Sequence, residues 1–314
     1  KTAFKKIDKQ TYASETFEAL RENRKEVSAL LGTTPGNFSE GLDSGGFYNG
    51  YGPTSQEVLI PAFIAAYTGK SINETGIGAF PAIPLPNWRI TYDGLTKIEK
   101  IKKHFKSFTL SHAYRSTYNV GSFTTNQFYK DSLGDGFTGR RDLNNNFRPQ
   151  KEIQVVTISE QFAPFLLVDM TWASSLITKV ELKRERNLSM SLTNAQLTEM
   201  RTNEIVTGVG YRFKDVVPPF AKRFKFKVKS DLNLRADVSF RRNQTLIRKV
   251  VENLTQPTAG QNVISIKVSA DYIINEKLNI RIFYDRIITT PLVSTTFPTS
   301  NTNSGISLRF TIAQ

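Results

Sequence analysis

The chain contains no cysteine and only two histidines in 314 residues. Without cysteine there is no disulfide framework and no thiolate metal centre. His104 and His112 lack carboxylates at ligand spacing, so no metal site is expected. No stretch approaches the ~20 consecutive apolar residues of a membrane-crossing helix. The longest candidate, Val58 to Tyr67, contains Pro61. A Gly-x-Ser-x-Gly elbow, a phosphate-cradling loop and a dinucleotide fingerprint are also missing, as is any nucleic-acid-binding module. The reading is therefore of a non-enzyme with no cofactor and no nucleic-acid partner. The opening Lys1-Thr-Ala-Phe-Lys-Lys6 has neither the apolar core nor the cleavage site of a signal peptide. An outer-membrane protein needs such a peptide, so further residues upstream of Lys1 are expected.

What is abundant is positive charge and two-residue alternation. Lysine and arginine number 42 against 28 acidic residues, giving a net charge of +14. That balance admits acidic lipid headgroups or acidic polypeptides as partners. The mean hydropathy of −0.33 is that of a soluble protein, but a membrane barrel averages to a similar value because half of each strand faces water. Between Phe224 and Phe240 every odd position is polar and every even position except Ser230 is apolar. A helix cannot gather that pattern onto one face.

The pattern divides the chain. Residues 1–86 read as a loop-rich cap or extracellular insertion rather than a packed domain, with helical composition at Ala13 to Leu31 and repeated prolines after Pro53. Residues 87–314 read as nine strands, near 87–94, 106–120, 153–172, 176–194, 203–213, 232–242, 264–274, 278–288 and 304–313, with a short basic helix at Leu95 to Phe105. Trp172-Ala-Ser-Ser-Leu176, Val228-Lys-Ser-Asp-Leu232 and Ile274-Asn-Glu-Lys-Leu278 each read as a three-residue turn at one end. The segments 195–202, 243–262 and 289–303 then read as longer links at the other end. Single-chain bacterial barrels have even strand counts, so nine strands again point to strands upstream.

These features favour an antiparallel transmembrane β-barrel segment over a soluble β-sandwich. Several strands exceed the usual 5–6 residues of globular sheets and reach the ~9–11 of a membrane crossing. Trp88, Tyr92, Trp172, Tyr211, Phe213, Phe240, Tyr272 and Tyr284 read as a lipid-facing aromatic girdle near strand ends. On the opposite parity lie Arg89, Arg115, Lys179, Glu181, Lys183, Arg212, Arg235, Asp237, Arg241, Lys267, Asp271, Arg281, Asp285 and Arg309, read as a charged lumen wall. These charges either pair across strands to stiffen the wall or, being mainly basic, act in conduction. Ile306, Leu308, Phe310 and Ile312 face outward on a closing strand suited to barrel-assembly machinery. Gly208 and Gly210 read as relief of crowding within a strand.

Several phrases carry a resemblance. They are Val58-Leu-Ile-Pro-Ala-Phe-Ile-Ala-Ala-Tyr-Thr-Gly-Lys70, Pro86-Asn-Trp-Arg-Ile-Thr-Tyr-Asp-Gly94, Thr109-Leu-Ser-His-Ala-Tyr-Arg-Ser-Thr-Tyr-Asn-Val-Gly-Ser-Phe123, Gly210-Tyr-Arg-Phe-Lys-Asp215, Ser230-Asp-Leu-Asn-Leu-Arg-Ala-Asp237 and Leu308-Arg-Phe-Thr-Ile-Ala-Gln314. The chain resembles the C-terminal part of the SprA/Sov family, the outer-membrane translocon of the type IX secretion system of Bacteroidota. The resemblance implies a barrel of up to ~36 strands passing folded cargo proteins with C-terminal sorting domains, gliding adhesins included. It also implies a smaller outer-membrane partner barrel and periplasmic plug and lipoprotein partners. It assigns no residue to those contacts. A self-contained porin or receptor barrel for small solutes, and a soluble basic β protein binding an acidic polymer, are the alternatives the residues leave open.

Overall fold

The computed structural model describes residues 2–34, 39–81, 85–130, 139–217, 230–275, 278–293 and 296–311. Nine strands form one antiparallel sheet in sequence order: β1 (Trp88–Tyr92), β2 (Phe105–Thr125), β3 (Lys151–Trp172), β4 (Leu176–Ser191), β5 (Gln196–Val216), β6 (Ser230–Lys249), β7 (Leu254–Asn275), β8 (Leu278–Pro291) and β9 (Thr299–Phe310). Each expected strand has its counterpart, and the expected short basic helix is a 3-10 turn (Gly94–Lys97) followed by one α turn, Glu99–Lys102. β1 and β9 form the two edges, so the sheet is open among the described residues.

The tight links end alike. Ser175, Ala195 and Asn253 each precede a strand in a left-handed conformation, with φ of 67°, 48° and 55°. A left-handed last residue is the usual way to close a three- or four-residue hairpin link. The turn at 173–175 is as expected, with Thr171 opposite Ile177. That at the β7–β8 junction is in place, but Asn275 pairs with Leu278, one residue tighter than expected.

Two expectations about the links are overturned. The turn expected at Val228 to Leu232 is in its second half a strand, since Ser230 pairs with Val216 and Leu232 with Phe213; Phe224 to Lys229 lie outside the described residues. The segments 195–202, 243–262 and 289–303 are largely strand too. There the apolar–polar contrast fades because charged or uncharged polar side chains occupy the apolar parity, so alternation in hydropathy stops before the hydrogen-bonded ladder does.

Residues 1–86 hold a packed core, against the expectation of a loop-rich segment. Helix α1 (Glu15–Gly32) repeats Phe17, Leu20, Arg24, Val27 and Ser28 at helical spacing on its buried face. Helix α2 (Gln56–Thr68) is buried continuously from Val58 to Tyr67. It is apolar all round because α1 covers one side and the sheet the other, and Pro61 within it removes one intrahelical donor. Gly69, left-handed at φ 73°, ends it. A third short helix (Ile72–Thr75) is closed by a capping box of Ser71 and Glu74. The main hydrophobic cluster joins Phe17, Leu20, Val27 and the α2 side chains to Val156, Ile158, Leu188, Met190 and Leu197 of the sheet.

Candidate functional site

The strand register sorts the side chains onto two faces. Leu182, Ile205, Phe240, Ile264 and Ile288 are directly opposite one another across five strands, as are Val180, Thr207, Val238 and Ile266. Opposed residues share a face, so one face carries a continuous apolar band. On β5 it runs from Ile205 to Phe213, about 27 Å along the strand at ~3.4 Å per residue. At the ~35–45° tilt of barrel strands this is roughly 21 Å of height, somewhat less than the ~25 Å outward apolar belt of an outer-membrane barrel. The band is open to its surroundings: Ile205, Val209, Val238 and Ile282 are 48, 50, 44 and 53 % exposed. An apolar surface this extensive on a protein in water calls for an apolar partner.

All eight expected girdle aromatics fall on this face. Their heights vary more than expected. Tyr211 and Phe213 stand at one limit of the band and Phe240 at the other, but Tyr284 sits in the middle of β8, opposite Val268 and Ser304. Ile306, Leu308 and Phe310 on β9 are 71, 67 and 65 % exposed on the same face; Ile312 lies outside the described residues.

All fourteen expected wall charges share the other face, where a cavity of about 440 Å³ is lined by Lys179, Glu181, Lys183, Glu204, Arg235 and Lys267 among others. Pairing is extensive. Glu181 receives Lys179 at 2.9 Å and Lys183 at 3.7 Å; Glu204, not among the expected wall residues, receives Lys183 at 3.7 Å and Arg241 at 3.0 Å. Arg235 meets Asp237 at 2.7 Å, Arg281 meets Asp271 at 3.8 Å, and Arg212 grips Asp231 through two nitrogens. Lys267 stands between Asp237 and Asp285 by register. Arg89, Arg115 and Arg309 form no ion pair with any described residue. The wall is thus both stiffened by pairs and left net basic.

Gly208 belongs to this lattice. A Cβ there would lie 2.5 Å from Oδ1 of Asp237. Gly208→Ala is expected to push the carboxylate off Arg235 at a cost of about 0.5–1 kcal/mol, the scale of an exposed ion pair. A double-mutant cycle with Asp237→Ala, read by urea unfolding, checks it: the cost should largely vanish in the Asp237→Ala background.

Beyond the band, the apolar parity carries charges that alternation did not single out. Glu160, Arg186, Glu199 and Arg248 are buried beneath α1, α2 and the first residues of the chain. Arg248 meets Glu199 at 2.9 Å, and Arg201 meets the other oxygen of Glu199 at 2.7 Å. Arg186 pairs with Glu160, which also accepts from the Tyr114 hydroxyl at 2.7 Å. The same arginines hold the cap by its backbone. Arg186 donates to the Tyr67 carbonyl at 3.2 Å, Arg248 to that of Tyr12 at 2.9 Å and Arg201 to that of Lys5 at 2.9 Å. From the cap side, Arg24 donates to the carbonyls of Pro53 and Val250, each at 3.2 Å. Burial, and then neighbouring Arg21, lower its pKa to about 10. The cap therefore sits on the apolar-parity side of the sheet, not on the charged wall.

His112 uses Nδ1 on the Phe165 carbonyl at 2.6 Å, packed among aromatic rings. No family model matches the chain, and no curated protein matches it.

Proposed function

We propose that this chain is part of the wall of an outer-membrane β-barrel, and that the barrel is a protein-conducting channel of the SprA/Sov type. The observation that carries the membrane reading is the two-faced sheet: an exposed apolar band spanning several strands, backed by an ion-paired, net-basic wall that holds a cavity. The two unpaired edges, β1 and β9, support a place in a larger cylinder over a self-contained small barrel. The protein-conducting role rests on the family-like phrases. On this reading the band meets outer-membrane lipid, and the wall lines a path for folded cargo with C-terminal sorting domains. The smaller partner barrel and the periplasmic plug and lipoprotein engage parts of the protein that the resemblance does not map onto residues here. The wall carries no catalytic role.

The test is an immunoblot of fractionated native cells with an antibody to this region. A band far above 35.4 kDa in the outer membrane is expected. A band near 35.4 kDa in that fraction would replace the translocon with a small-solute porin, and a soluble band would remove the membrane reading. Depleting the full-length protein should leave sorting-domain cargo in the periplasm; unchanged surface delivery would end the secretion reading.

A further inference from the structure

At one corner of the charged face two arginines stand side by side with no carboxylate between them. Arg89 on β1 lies opposite Ala113 of β2, and Arg115 follows two residues on, opposite Gln161 of β3. That diagonal relation sets the two positions ~7–8 Å apart. Both residues are exposed, and both line one cavity of about 490 Å³. Ala113 and Ala163 line it too, and their small side chains leave its centre open. Asn87 and Gln161 add carboxamides. Through Oδ1, Asn87 accepts from the Ser116 backbone N–H at 2.6 Å, so it offers its NH2 to a ligand.

Among the described residues, no acidic side chain lines this cavity. Glu160, next to Gln161 in sequence, is turned to the opposite face, where Arg186 holds it. The nearest carboxylate along the Arg115 row is Glu185 on β4, two strands away, or ~10 Å at ~4.8 Å per strand. Elsewhere on the wall Lys179, Lys183, Arg235 and Arg241 each have a carboxylate partner. This corner is therefore a concave patch of positive charge with amide donors, complementary to oxyanions. Resting on the reading of this face as a channel wall, we propose that the Arg89–Arg115 cavity docks an acidic polypeptide segment in extended conformation. Two carboxylates at alternate positions of that segment would each meet one guanidinium. Alternate side chains of an extended chain project to one side at ~7 Å spacing, which matches the arginine pair. Such a segment engages both without drawing them together. Guanidinium and carboxylate match as two-pronged partners. Anionic lipid is the wrong occupant, because the apolar band lies on the other face.

Trp88 provides the readout, because it lines the same cavity. The other tryptophan, Trp172, ends β3, where its Nε1 donates to Thr178, and Trp172→Phe leaves Trp88 as the sole reporter. The full chain with that substitution, in phosphatidylcholine vesicles, would be titrated with two capped serine–glutamate peptides of equal composition. One carries its two glutamates at alternate positions, the other side by side. A saturable change in Trp88 emission is expected, with the alternating peptide bound about fivefold more tightly because only it reaches both arginines. Added salt should weaken binding. Arg89→Gln or Arg115→Gln should each cost about fivefold and remove the preference between peptides, and the Lys substitutions should keep part of it. Circular dichroism of each variant shows whether the sheet is retained.

Equal affinity for the two peptides would overturn the docking site, as would binding that survives both Gln substitutions or an unchanged Trp88 emission. Inorganic phosphate that binds as tightly as the alternating peptide would replace it with a small-anion site. Flotation of the vesicles reports separately on the membrane reading. A chain left behind in solution would end that reading, and the same titration without vesicles would still decide the site.

Discussion

Glu199→Gln is expected to lower the free energy of unfolding by about 3–5 kcal/mol, the usual cost of leaving a buried charge without its partner. Glu199 and Arg248 are both fully buried, and Arg201, mostly buried, shares the same carboxylate. The neutral amide leaves two guanidiniums facing each other across a site that α1 and the first residues close to water. Arg248→Met should cost less, because Glu199 keeps Arg201. The double variant Glu199→Leu/Arg248→Met should recover much of the loss, since apolar groups of similar volume often replace a buried pair at little cost. Urea unfolding followed by tryptophan fluorescence gives the magnitudes. Proteolysis near α1 shows whether the cap leaves first. An unchanged urea midpoint for Glu199→Gln would mean that the apolar cluster, not the ion pairs, holds the cap down.

The position of that cap bears on how the wall works. It is anchored to the face that carries the apolar band, beyond the band's limit, so the charged face opposite is left clear of it. A cap inserted on the charged face would narrow any conduit there. On the membrane reading, it would stand where a barrel's outer surface leaves the bilayer, and it covers the hydrogen-bonded extensions of β3 to β6. The strands can then be 20–22 residues long, about twice what a membrane crossing requires, without an apolar residue at every second position throughout.

Legibility in the sequence followed from how strongly each face contrasts with the other. Leu232 to Phe240 alternates with polar residues at every step, and its two faces emerge as read, whereas the turn expected just before it is strand. Leu197, Glu199 and Arg201 sit on the apolar parity too, but charge at such positions breaks the alternation, so the pattern starts this strand at 203 while the ladder starts at Gln196. Only tertiary pairing makes Glu199 and Arg248 buried residues, and no spacing rule connects two positions on different strands. Helix α2 was obscured for another reason. A segment buried on every side has no periodicity to detect, and Pro61 within it argues locally for a break. The wall charges were found by parity alone, but Glu204 was missed among them, although it receives both Lys183 and Arg241.

Leu234→Arg separates the bilayer reading from a soluble one more sharply than any other single change. Leu234 is 39 % exposed, between Tyr211 and Ala270 on the apolar face and one step from the centre of the β6 run. In a bilayer, arginine on the lipid face costs ~2–4 kcal/mol at the midplane and less toward the interfaces, so about 2–3 kcal/mol is expected here. In water, the same exposed position would accept arginine within about 0.5 kcal/mol. The adjacent residue is the control. Arg235 points to the charged face with its side chain 64 % exposed, and Arg235→Ala gives up only a solvent-screened pair with Asp237, worth ~0–1 kcal/mol. Unfolding both variants in urea from the same bilayer compares the two faces at one position along β6. A large loss for Leu234→Arg with little for Arg235→Ala assigns lipid to one face and water to the other. Equal losses would mean that neither face is in contact with lipid, and the apolar band would then need a protein partner to cover it.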